Sequence, residues 1–88
     1  MLGWILAGLA LGAAVITISY LTAGKAKEKA KELNSNASAI LIKSVFKNGN
    51  VNRVKMDILD DYNDSIGELD YSADDISSDI YEGNKIYI

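Results

Sequence analysis

From Leu2 to Ala23 the chain carries no charged side chain, and this stretch constrains the fold more than any other part of it. As an α-helix these residues would extend about 33 Å at 1.5 Å per residue. A hydrocarbon layer is about 30 Å thick, so the stretch predicts a transmembrane helix over residues 2–23. Trp4 lies near one end and Tyr20 near the other, where amphipathic rings settle at the headgroup level, and Lys25, Lys27, Lys29 and Lys31 follow directly. These six are the expected membrane-anchoring residues. No Lys or Arg precedes the span, so the positive-inside tendency sets the N-terminus outside and the C-terminal domain in the cytoplasm, as a single-pass protein. A cleaved signal peptide fits less well, because the basic n-region is missing and the apolar run exceeds an h-region; an anchor retained in the lipid bilayer is expected.

The span also carries packing cues. Gly8-Leu9-Ala10-Leu11-Gly12 is a small-xxx-small motif that permits close backbone approach between helices. Steps of four and three connect Gly12, Ile16, Ser19, Ala23, Ala26, Ala30, Leu33 and Ala37 in a heptad-like seam that runs from the apolar stretch into the lysine-rich one. Gly8, Gly12, Ser19, Ala23, Ala26 and Ala30 are therefore the candidate helix-packing residues, and a homo-oligomer or a larger membrane complex is the expected partner. Alanine's helix preference in a solvated stalk accounts for the aqueous half of the seam more simply, because alanine knobs bury little area.

Residues 24–38 predict a basic helical stalk and linker. Ala, Lys and Glu favour helix to Leu33, and Asn34-Ser35-Asn36-Ala37-Ser38 ends it, since these side chains compete for backbone hydrogen bonds. Beyond Ser38 the hydrophobic period becomes two. Ile40, Ile42, Ser44 and Phe46 alternate with Leu41, Lys43, Val45 and Lys47, and Val54, Met56 and Ile58 alternate with Arg53, Lys55 and Asp57. A three-residue loop over Asn48, Gly49 and Asn50 pairs Ile40 with Ile58, Ile42 with Met56 and Ser44 with Val54; a two-residue Asn48-Gly49 loop would set Ile42 against Lys55. A second loop at Tyr62–Ser65 pairs Ile58 with Leu69 and Met56 with Tyr71. Gly83-Asn84 then turns into a short final strand. Residues 39–88 are thus expected to form a small antiparallel β domain, curled into a small barrel plugged by Ile76 and Ile80 or packed on another subunit.

Charge is polarised along the chain. Lys25 to Lys55 holds eight basic residues against Glu28 and Glu32, whereas from Asp57 onward ten acidic residues face Lys85 alone. An acidic distal part disfavours nucleic acid as a partner. With no Cys and no His, a disulfide framework is impossible and a structural zinc site lacks its usual ligands. Asp57, Asp60, Asp61, Asp64 and Glu68 invite a calcium reading, but an EF-hand loop begun at Asp60 would place Ser65 at its sixth position and Tyr71 at its twelfth, where Gly and Glu are required. Serines without His lack the usual activating base, and no Gly-rich phosphate loop is present. No catalytic, cofactor or metal site, and no small-molecule substrate, is expected.

The fold class read from these features is α+β: one N-terminal transmembrane helix with a short helical stalk, followed by a small antiparallel β-sheet or small-barrel domain. The function they favour is a noncatalytic single-pass membrane protein acting as an assembly or adaptor module. The alternatives are a structural subunit of an extracytoplasmic filament with the apolar helix in its core, and a small membrane-perturbing protein of the holin or toxin kind.

Overall fold

The computed structural model describes residues 14–88. They form strand β1 (Val15–Leu21), helix α1 (Ala23–Leu33), and strands β2 (Ala39–Asn48), β3 (Val51–Leu59), β4 (Ser65–Ile76) and β5 (Lys85–Tyr87). The five strands make one mixed sheet in the order β1-β4-β3-β2-β5.

The first strand overturns the transmembrane helix expected over residues 2–23. Val15–Leu21, from its second half, is extended and runs parallel to β4, with Ile16 opposite Tyr71 and Ile18 opposite Ala73. The physical reason lies in its composition: Val15, Ile16, Thr17 and Ile18 are β-branched, stiff at χ1 and better placed on a pleated surface than in a helix. Among the described residues no helix is long and apolar enough to cross a membrane, so the single-pass placement with its outside N-terminus and cytoplasmic domain loses its basis. Nor is the sheet purely antiparallel or closed into a barrel. It ends at β1 on one side and at β5 on the other.

The helix expected after Gly24 is present, yet it is a crossover rather than a projecting stalk. Thr22 caps it, its Oγ1 accepting a hydrogen bond from the Lys25 N–H at 3.2 Å. At the far end the Asn34 N–H closes on the Ala30 carbonyl. β1 and β2 are parallel and separated by two strands, so the connection must step sideways by about 14 Å at ~4.8 Å per strand. Eleven helical residues supply about 16 Å. Ala26 and Ala30, spaced by four, face the sheet and are fully buried with Leu21, Ile40, Ile42, Val54, Met56, Ile58, Leu69, Tyr71 and Ala73; Ala37 and Ile80 close the same layer. Small residues let the helix backbone sit low on the sheet.

The β2–β3 hairpin keeps Ile40 opposite Ile58 and Ile42 opposite Met56, as the hydrophobic pattern requires. Its turn is tighter than expected. Gly49 and Asn50 alone connect Asn48 to Val51, with Gly49 at a φ of 68°, the positive value that a two-residue turn with Gly in its first position demands. The tight turn and the core register differ by one residue, and a bulge between Ile42 and Ser44 absorbs the difference. Beyond it Val45 rather than Ser44 meets Val54, and Phe46 turns outward, 47% exposed. The β3–β4 hairpin is shifted by two residues from expectation, pairing Met56 with Leu69 and Val54 with Tyr71. A two-residue shift leaves every side chain on its own face. Asn52 fixes this register: nearly buried, its Nδ2 donates to the Ala73 and Asp74 carbonyls at 3.3 Å each.

Two outcomes follow from the core. Ala30→Leu forces a larger side chain between helix and sheet and is expected to cost about 1–3 kcal/mol, measured as a lower urea midpoint. Tyr71, the largest fully buried side chain, has its phenol pushed up first by burial and then by the negative charge of Glu32. Above the ordinary tyrosine value of 10.0 the unfolded chain loses a proton that the native state keeps, so this group takes stability away as pH rises through that window and has no effect below it. Urea midpoints from neutral to alkaline pH should therefore fall more steeply for the wild type than for Tyr71→Phe.

Candidate functional site

Of the residues singled out by sequence, Trp4, Gly8 and Gly12 lie outside the described residues. Ser19 and Tyr20 are on β1, and Ala23, Ala26, Ala30 and the four lysines are on α1. The seam from Ser19 to Ala30 is broken at the strand-to-helix junction, and its buried members, Ala26 and Ala30, are spent on the protein's own core. The lysines are dispersed. Lys25 Nζ donates to the Tyr20 carbonyl at 2.8 Å and lies 5.8 Å from the centre of the Tyr20 ring. Lys29 pairs with Glu32 at 2.9 Å. Lys31 donates to the Ser35 and Ala37 carbonyls, fastening the loop that leaves the helix. Of the anchoring residues, Tyr20 and Lys25 alone are brought together among the described residues.

The acidic loop between β3 and β4 is built around Asp60. Its Oδ1 accepts from the Tyr62 and Asp64 N–H groups at 2.9 and 3.0 Å, and Asn63 adopts a φ of 65° to close the turn. The carboxylate that would lead a calcium loop is thus occupied by the backbone. Beside it, a polar cavity of about 450 Å³ is lined by Lys31, Ser38, Asp60, Asp61 and Tyr62, with the Ser38 hydroxyl donating to Asp61. Among the described residues no group of three His, Cys, Asp or Glu side chains is arranged to hold a metal ion.

The sheet face opposite α1 is mostly polar and charge-paired, with Phe46 exposed near its end. Lys43 on β2 reaches Asp57 on β3 at 3.1 Å and Glu68 on β4 at 3.4 Å, and the hydrogen bond to Asp57 raises its pKa above the ordinary lysine value. Arg53 Nη2 donates to Asp70 at 3.0 Å, both side chains being mostly covered. Apart from the buried Arg53 Nε, which has no hydrogen-bond partner among the described residues, this face finds its own partners.

The β1 edge does not. Among the described residues nothing pairs with its outer side. The Leu21 carbonyl accepts from the Ser77 N–H on the β4 side. Because peptide groups alternate along a strand, Val15, Thr17, Ser19 and Leu21 face β4, while Ile16, Ile18 and Tyr20 turn their N–H and C=O groups outward. The only described partner there is Lys25 on the Tyr20 carbonyl. Seven residues long, with no charge and no Pro of its own, β1 is blunted among the described residues at its C-terminal end alone, where Lys25 holds the Tyr20 carbonyl. The opposite edge is blunted: β5 has three residues, includes Lys85 and pairs with Ala39–Leu41 of β2, and the flanking Gly83, Asn84 and Ile88 bond Ile42 and Ser38, leaving Lys43–Asn48 uncovered. This site went unseen in the sequence, though Thr17 and Ser19 alternating with Ile16 and Ile18 carried its signal.

Beside β1, a mainly apolar cavity of about 410 Å³ is bounded by Ala14, Ile16, Lys29, Leu33, Glu68 and Leu69. Leu33 there is 56% exposed, and Tyr20, further along the same strand, is 44% exposed.

For the acidic loop, Asp60→Ala removes two charge-assisted bonds to backbone and is expected to lower stability by about 1–3 kcal/mol. Urea titrations should show the same loss with calcium present and with it chelated. No protein-family model, curated protein or solved structure matches the chain.

Proposed function

We propose that this protein is a noncatalytic assembly module that recognises a partner protein by adding the partner's extended strand to β1. The observation that carries this reading is the outer side of Val15–Leu21, an uncharged row of peptide groups without a backbone partner among the described residues. Strand addition draws affinity from main-chain hydrogen bonds and selectivity from the side chains that flank them. β1 offers both. Ile16, Ile18 and Tyr20 present their peptide groups outward, and the apolar cavity at Ile16 can receive a side chain from the incoming strand. The charge-paired open face and the blunt β5 edge direct a partner to β1 rather than elsewhere on the sheet. The helix-packing part of the sequence reading is dropped, because Ala26 and Ala30 are already buried.

The test is site-specific photo-crosslinking in cells with benzoylphenylalanine at Thr17 on the edge, and at Glu28 on the exposed side of α1 as the control. A protein adduct that forms from Thr17 and not from Glu28, and that maps by mass spectrometry to a stretch of consecutive residues in the adduct partner, is the expected result. Equal labelling from both positions, or none from Thr17, would remove this reading.

A further inference from the structure

Resting on the reading of β1 as the recognition edge, we propose that the strand added to it is β1 of a second copy of this chain. The two would run antiparallel about a two-fold axis at Ile18 and join two five-stranded sheets into one continuous sheet. A two-fold contact brings the same patch of both copies together, so the patch must complement itself. Centred on Ile18, the register sets Ile18 against Ile18, Ile16 against Tyr20 and Thr17 against Ser19. Hydrogen-bonded pairs in an antiparallel ladder alternate with non-bonded ones. Ile16, Ile18 and Tyr20 are the residues whose peptide groups face outward, and this register makes each of them a member of a hydrogen-bonded pair. A register displaced by one residue would oppose outward groups with inward ones.

The side chains agree with the backbone. On the helix side the register pairs an aromatic with a β-branched residue and two isoleucines with each other, and on the open side it pairs two hydroxyls; such cross-strand pairs are stabilising. β1 has no charge, so two copies meet there without repulsion even though the chain carries a net charge of −3. The cavity and its occupant also belong to the same chain. Setting Ile16 against the second copy's Tyr20 brings that half-exposed ring to the mouth of the cavity bounded by Ile16, Leu33 and Leu69. The two-fold axis repeats this contact on the other side. A strand without an aromatic residue at that step would leave the cavity and Leu33 exposed.

The natural chain has no cysteine, which permits a direct test of register. Thr17 and Ser19 form a non-hydrogen-bonded pair, with Cα atoms about 4.5 Å apart, within the disulfide range of roughly 4.4–6.8 Å. Two Thr17 residues would stand diagonally, about 7–8 Å apart, outside it. The full chain is prepared as Thr17→Cys and as Ser19→Cys, and the two are oxidised separately and mixed. The expected result is a mixed disulfide dimer many-fold in excess of either same-variant dimer. The wild type should sediment as a dimer that dissociates on dilution. Thr17→Lys/Ser19→Lys places like charges opposite one another and should sediment as a monomer while keeping the wild-type circular dichroism spectrum. A wild type that is monomeric at every concentration, equal crosslinking in all three oxidations, or a dimer that survives the double lysine variant would each overturn the proposal. If the wild type is monomeric while photo-crosslinks from Thr17 reach a different protein, self-pairing falls and the reading of β1 as a recognition edge stands.

Discussion

The fold depends on the parallel pairing of β1 with β4. Once Val15–Leu21 lies against Asp70–Ile76, β2 must begin three strand positions away, and the chain has to cross one face of the sheet to reach it. That crossing is α1. The helix therefore lies over the core, its buried face is limited to alanines, and the opposite face of the sheet is left to polar residues. A helix of larger side chains would stand off the sheet and open a gap over Ile42, Met56 and Tyr71, where packing near crystal density leaves no room for one.

The charge asymmetry along the chain acquires a local meaning in this arrangement. Within the sheet, basic side chains lie mainly on β2 and β3 and acidic ones on β4, and the hairpins bring these strands side by side. Lys43 is held between Asp57 and Glu68, Arg53 joins Asp70, and Lys55 stands opposite Asp70. Each partly exposed pair adds ~1 kcal/mol or less, so their larger effect is on register. A one-residue slip of β4 would carry its acids to the core face and leave the β3 cations without partners.

What could be read from the sequence follows from the range of the interaction that decides it. The helix over residues 24–33 and the core pairs Ile40 with Ile58 and Ile42 with Met56 depend on local preference and on period-two alternation. Both are visible in the residues themselves. The bulge at Lys43 was not visible, because it arises from a conflict between two requirements, a Gly49-Asn50 turn and an Ile42–Met56 contact, that are each reasonable alone. β1 was lost for a different reason. An uncharged stretch long enough to span a bilayer reads as one helix by hydropathy, and the alternation of Ile16 and Ile18 with Thr17 and Ser19 is submerged in it. Its partner, β4, lies some fifty residues further along the chain, so no local signal announces the pairing. The candidate site shared that fate, since an edge exists only once strand order is known.

An uncharged edge must be explained by what it does or by what prevents it from doing harm. Exposed strands without Lys, Pro or a bulge recruit other strands indiscriminately, and an open-ended sheet grows until it precipitates. A two-fold pairing through β1 stops that growth after one step, because the free edges of the joined sheet are then two copies of the short, lysine-bearing β5. The uncovered part of β2, Lys43–Asn48, carries two further lysines and follows a bulge, both of which discourage pairing. On the proposed pairing, one edge serves association and the other resists it. This asymmetry distinguishes a closed assembly from an aggregate.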